Sequence, residues 1–109
     1  MALAHAASAE KIHVPSLVLM PPDAKTSALV KTSTFETVHL ILRAGATIPP
    51  HSVAGYITLY CLEGGVTLEA STTVQLTARD WIYLDPGEQY AVNANEDSSL
   101  LLTILFDNH

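Results

Sequence analysis

Short apolar stretches broken by turn residues dominate the chain, and no long segment keeps its apolar positions at helical spacing. Residues 14–20 read as a strand stopped by Pro21-Pro22-Asp23, 27–32 as a second strand, and 35–43 as a third ended by Ala44-Gly45. Residues 56–62 follow and end at Gly64-Gly65. Residues 66–70 and 73–77 look like a hairpin. Residues 81–84 stop at Asp85-Pro86-Gly87, 90–94 stop at Asn95-Glu96-Asp97, and 100–106 form the last strand. Nine short strands at roughly 8–12-residue spacing predict an all-β sandwich or barrel with little helix. No linker, low-complexity tract or internal repeat divides them. Residues 1–109 are therefore expected to form one domain, with 1–12 a flexible or partly ordered leader.

Two of these stretches do not alternate. Residues 16–20 (SLVLM) and 100–106 (LLLTILF) are apolar at successive positions. A strand that is apolar on both faces must be covered on both. In a small barrel the interior covers one face only. The pattern therefore predicts a homodimer, with a folded-back N-terminal segment as the alternative cover.

Composition narrows the field. Of 109 residues, 49% are hydrophobic and 15% charged, which fits a compact domain rather than a disordered chain. The formal net charge is −6, so no basic footprint for nucleic acid or an anionic membrane is expected. The single cysteine, Cys61, excludes an intrachain disulfide framework and points to a reducing compartment. The N-terminal MALAHAASAEK lacks the basic region of a signal peptide, and the longest apolar run is far below the roughly 20 residues that span a bilayer. A cytoplasmic protein is expected.

The candidate chemistry starts at His51. Gly45, five further residues, His51, an apolar strand and Leu62-Glu63-Gly64 resemble the first motif of the cupin family. The block from Asp80 to Val92, DWIYLDPGEQYAV, resembles the second. The likeness covers about 35–106. It implies a jelly-roll barrel, the double-stranded β-helix, often paired as a dimer. The family's first motif carries a glycine, two histidines one residue apart, a glutamate and a final glycine. Gly45, His51 and Gly64 match, while Val53 and Ile57 stand where the second histidine and the glutamate would be. In the second motif Gly87 matches and Tyr90 occupies the histidine position, with Arg79, Asp85 and Ala94 in place of the glycine, proline and asparagine. Of four metal-ligand positions, only His51 carries a usual ligand.

First-row divalent metals need several converging nitrogens and carboxylate oxygens, and valine and isoleucine offer no lone pair. No metal or other cofactor is therefore expected. His51, Val53, Ile57, Tyr60 and Tyr90 are the candidate lining of a pocket for a small organic ligand, with the alternative that side chains simply fill the barrel. Desolvation beside such apolar walls would keep the His51 ring uncharged. Trp81 reads as a core anchor, Cys61 as a small buried hydrophobe, and His39 as a surface or interface residue on the outer side of its strand. His5, His13 and His109 show no ligand spacing. A metal-free binding or sensing module is the first functional expectation. A metal-free acid–base enzyme of isomerase or epimerase type, using His51 and Tyr90, is the alternative, and a metal-dependent oxygenase or isomerase the third. Against a nucleotide substrate, only Arg43 and Arg79 are available as guanidinium clamps.

Overall fold

The computed structural model describes residues 5–106, so the expectation for His109 and the start of the leader lie outside the described residues. The strands are β1 Ser27–Lys31, β2 Phe35–Leu42, β3 Thr47–His51, β4 Tyr56–Glu63, β5 Gly65–Glu69, β6 Thr73–Thr77, β7 Trp81–Leu84, β8 Tyr90–Ala94 and β9 Ser98–Leu105. They form two antiparallel sheets, one in the order β1-β2-β9-β4-β7 and the other β3-β8-β5-β6. The expected all-β jelly roll is the architecture.

Alternation decides what fills it. Leu40 and Leu42 of β2, Ile57, Leu59 and Cys61 of β4, and Leu100 and Leu102 of β9 face Val66, Leu68, Leu76, Val92 and Ala94 of the opposite sheet. Register locks these rows together: Leu59 lies opposite Leu102, which lies opposite Val38. A slip by one residue would turn every one of these side chains to the other face.

Two elements differ from the expectation. Residues 14–20 are not a strand; they contain a single 3-10 turn, Leu17–Leu19, with Val18 and Leu19 exposed. Prolines at 15, 21 and 22 remove backbone donors, and the segment lies across a sheet instead of along its edge. The Leu17 N–H donates to the Glu63 carboxylate at 2.8 Å, and the Ser16 hydroxyl donates to the same group at 3.2 Å. Conversely, residues 47–51 form β3 despite Pro49-Pro50. β3 is an edge strand paired only with β8, and its ladder is irregular between Ile48 and His51, so the missing donors cost nothing.

The outer face of the larger sheet is covered at one end only. Arg43 donates to the Pro21 and Pro22 carbonyls, and the Thr26 hydroxyl accepts from the Ile41 N–H, which tie the N-terminal segment across this end. Beneath lie His39, Ile41 and Ser99, all buried. His39 faces away from the interior as expected, but it is no surface residue: its Nε2 meets the Ser99 Oγ at 2.6 Å. Desolvation holds its pKa below the usual imidazole value, against the opposing pull of the Glu63 carboxylate. At the other end Tyr56, Trp81, Tyr83 and Leu105 remain open to solvent. The sequence places Trp81 in the core; it is 58% exposed, because register sets it opposite Tyr60 on the outer side of β4. No described helix is long and apolar enough to cross a membrane.

Candidate functional site

His51 ends β3, and the two prolines before it hold the chain extended. Its register partner across the sheet is Tyr90, the first residue of β8. The two rings therefore leave the sheet on the same side, with centroids 4.5 Å apart and planes tilted by 46°. The contact is between the two rings. His51 Nδ1 instead meets the Pro49 carbonyl oxygen at 3.0 Å. A carbonyl only accepts, so Nδ1 carries the proton and a neutral ring presents Nε2 as an acceptor. His51 is exposed, not enclosed by the apolar walls expected from the sequence.

Tyr90 is the buried half of the pair, 3% exposed, with its ring in the core cluster. Burial pushes its phenol pKa above the ordinary value, so the hydroxyl stays protonated. No hydrogen bond to this hydroxyl forms among the described residues, yet no buried polar side-chain atom there lacks a partner. The hydroxyl therefore reaches the solvent boundary.

Two of the other candidates supply apolar packing. Ile57 is 2% exposed and lies in register with Leu84 and Ile104. Val53 packs against the core, and its carbonyl accepts the Gly87 N–H at 2.8 Å, joining the loops that carry the two motifs. Tyr60 does not belong to this group. β4 turns Ile57, Leu59 and Cys61 inward, so Tyr60 is on the opposite face, in register with Leu101 and Trp81. Cys61 is fully buried, and desolvation, with the nearby Asp80 carboxylate, raises its thiol pKa.

A cleft of about 390 Å³ opens beside Tyr90, lined by Pro50, Glu69, Ala70, Ser71, Glu88, Gln89, Tyr90 and Ala91; His51 touches it only through its ring contact with Tyr90. Its size falls within the usual range for small-molecule sites. Glu88 is fixed by accepting the Ser71 N–H at 3.1 Å. Glu69, Glu88 and Gln89 are residues the sequence reading missed. Glu69 ends the β5 of the hairpin, and only pairing with β8 sets it opposite Ala91.

The residues present do not fit the metal that cupin motifs usually hold. Val53 and Ile57 have no donor atoms, and the Tyr90 phenol is shifted away from ionisation. Among the described residues, no group of three or more His, Cys, Asp and Glu side chains could hold a metal ion. Of the two arginines, Arg43 is already engaged: it pairs with Asp97 at 3.6 Å and donates to the Pro21 and Pro22 carbonyls.

No protein-family model matches the chain, and no curated protein matches it. Solved structures do. A conserved protein of unknown function from Streptococcus pyogenes aligns over 100% of both chains with a TM-score of 0.79 at 20% identity. A cupin superfamily protein from Desulfitobacterium hafniense covers 75% of this chain and 76% of its own, with a TM-score of 0.73 at 14% identity. An RmlC-like cupin from Shewanella frigidimarina covers 77% of each, with a TM-score of 0.71 at 18% identity. The fold is the cupin fold.

Proposed function

We propose that this cupin-fold barrel is a metal-free binding module for a small, uncharged or cationic organic molecule, working in the cytoplasm. The observation that carries the reading is the His51–Tyr90 pair at 4.5 Å beside the cleft. It offers an acceptor at His51 Nε2 and a protonated phenol at the solvent boundary. Glu69 and Glu88 line the same cleft, and carboxylates there repel anions while attracting amines or accepting hydrogen bonds from hydroxyls. Ile57 shares the core cluster with the Tyr90 ring, and Val53 packs against that cluster. The cytoplasmic assignment rests on the lone, buried, unpaired Cys61.

One observation favours the acid–base alternative. Nδ1 of His51 is fixed by a backbone carbonyl, which is how an imidazole is oriented to act as a base through Nε2, while Tyr90 would serve as the acid. A thermal-shift screen of amines, polyols and neutral sugars tests the binding reading. A hit should stabilise the wild type and lose its effect in His51→Ala. Turnover of that hit by the wild type and not by Tyr90→Phe would move the assignment to the enzyme. If no compound of these classes shifts the wild type while organic anions do, the reading is wrong. Elemental analysis of untagged protein should find well under one equivalent of transition metal.

A further inference from the structure

A second cavity, of about 500 Å³, lies between the N-terminal segment and the end of β4. It shares no lining residue with the cleft beside Tyr90. Its apolar walls are Val14, Pro15, Leu19 and Leu62, and the Glu63 carboxylate opens into it. Glu63 is held in place there: one oxygen accepts the Leu17 N–H at 2.8 Å and the other the Ser16 hydroxyl at 3.2 Å. Each oxygen keeps a further acceptor site. The carboxylate is half-buried, yet it makes no ion pair with a described residue, His13 of the same cavity included. Its field reaches His39, but burial disfavours the charged imidazole and outweighs the pull of Glu63, so that ring supplies no counter-charge. Beside this unpaired carboxylate Leu19 stands 76% exposed.

We propose that this cavity is a second ligand site, separate from the cleft, for a primary amine with an apolar body: the ammonium sits on Glu63 and the body lies against Leu19 and Leu62. Charge selects the head group. An ammonium carries three donors and one positive charge, which match the acceptor sites Glu63 has left. An attraction in a half-buried setting is screened less than one at an open surface. An anion of the same shape meets repulsion from Glu63, and the net charge of −6 adds to it. The walls select the body. Each methylene buried against them should raise affinity about 4-fold. The volume falls within the usual range for small-molecule sites. Because Leu19 and Ser16 belong to the N-terminal segment and Leu62 and Glu63 to β4, an occupant would bridge the two.

NMR titration of labelled protein with hexylamine, propylamine and hexanoate tests the proposal. Hexylamine should move the backbone signals of Leu17, Leu62 and Glu63. Propylamine should bind at least about 4-fold more weakly, and hexanoate should leave these signals still. Glu63→Gln keeps an oxygen for the Leu17 N–H and removes the charge; it should lose about 10-fold or more in hexylamine affinity. Leu19→Ser changes an exposed side chain outside the core, so the fold is retained, and the gap between hexylamine and propylamine should narrow. If Glu63→Gln frees the N-terminal segment, seen as random-coil signals for Leu17–Leu19, the Leu19→Ser result decides. The proposal is overturned if hexylamine leaves the three wild-type signals unmoved, if hexanoate binds as well, or if a folded Glu63→Gln keeps full affinity. An unchanged gap in Leu19→Ser overturns it too. His51→Ala, which tests the cleft, should leave the response at Leu62 and Glu63 intact; its loss there would place the amine in the cleft and end the proposal.

Discussion

Tyr90 should carry two separable roles, and one atom separates them. Its ring is 3% exposed inside the core, whereas its hydroxyl has no protein partner among the described residues. Tyr90→Ala removes the ring and should cost about 3–5 kcal/mol. That is a large share of a stability expected to be about 5–15 kcal/mol. Tyr90→Phe keeps the ring and its contact with His51. Because no hydrogen bond to the described residues is lost, its stability at neutral pH should change by only about 0.5 kcal/mol or less. Ligand affinity should fall by the value of one hydrogen bond, about 0.5–1.5 kcal/mol, or about 2–12-fold. The phenol adds an alkaline signature. Burial raises its folded pKa above the ordinary 10.0, so the neutral form stabilises the fold below that value. This contribution is lost as pH rises through the folded value. Urea denaturation of wild type and Tyr90→Phe should therefore match at pH 7 and diverge above pH 10, with only the wild type losing this term. Calorimetry with a screened ligand supplies the affinities. A loss above about 2 kcal/mol in Tyr90→Phe at pH 7 would show that the hydroxyl belongs to the fold's hydrogen bonding. Unchanged affinity in both Tyr90→Phe and His51→Ala would remove the pair from the binding site.

Three further outcomes concern His39, Cys61 and Gly64. His39 has a folded pKa below its unfolded 6.5, so its stabilising contribution is present above that value and is lost as pH falls through the folded one; denaturation midpoints of wild type should drop on acidification below pH 6.5 more steeply than those of His39→Asn. Cys61 is fully buried with a raised thiol pKa, so it should resist a maleimide at neutral pH in the folded protein and react once urea unfolds the barrel; rapid labelling of the native state would contradict its placement. Gly64 has φ +86, and a Cβ there would overlap the Asp97 carbonyl oxygen, so Gly64→Ala should lose about 3 kcal/mol or more of stability, combining left-handed strain with overpacking, as read by urea denaturation.

The strands whose pattern is local were legible in the chain. β2, β4 and β9 alternate or run apolar over eight residues, and their inward sets follow from period two alone. The loss of metal ligands was equally legible, because Val53 and Ile57 lack donor atoms in any conformation. So was the proximity of His51 and Tyr90, since the two cupin-like motifs must close on one another. The remaining features depend on which strands pair. The apolar run 16–20 looks like a strand, but a strand exists only where an edge accepts its hydrogen bonds, and the Glu63 carboxylate captures this backbone first. The prolines of 47–51 argue against a strand until edge position makes their missing donors harmless. Tyr60 and Trp81 read as pocket or core because large aromatic residues usually lie inside; register put both on the outer face, and no local pattern encodes which face a sheet leaves open. The cleft lining was hidden for the same reason. Glu69 and Glu88 are distant in sequence and meet only because β5 pairs with β8 and the Asp85-Pro86-Gly87 turn ends beside them. Pairing energies between strands, summed over both sheets, fixed those neighbours, and such non-local terms leave no periodicity for the sequence to show.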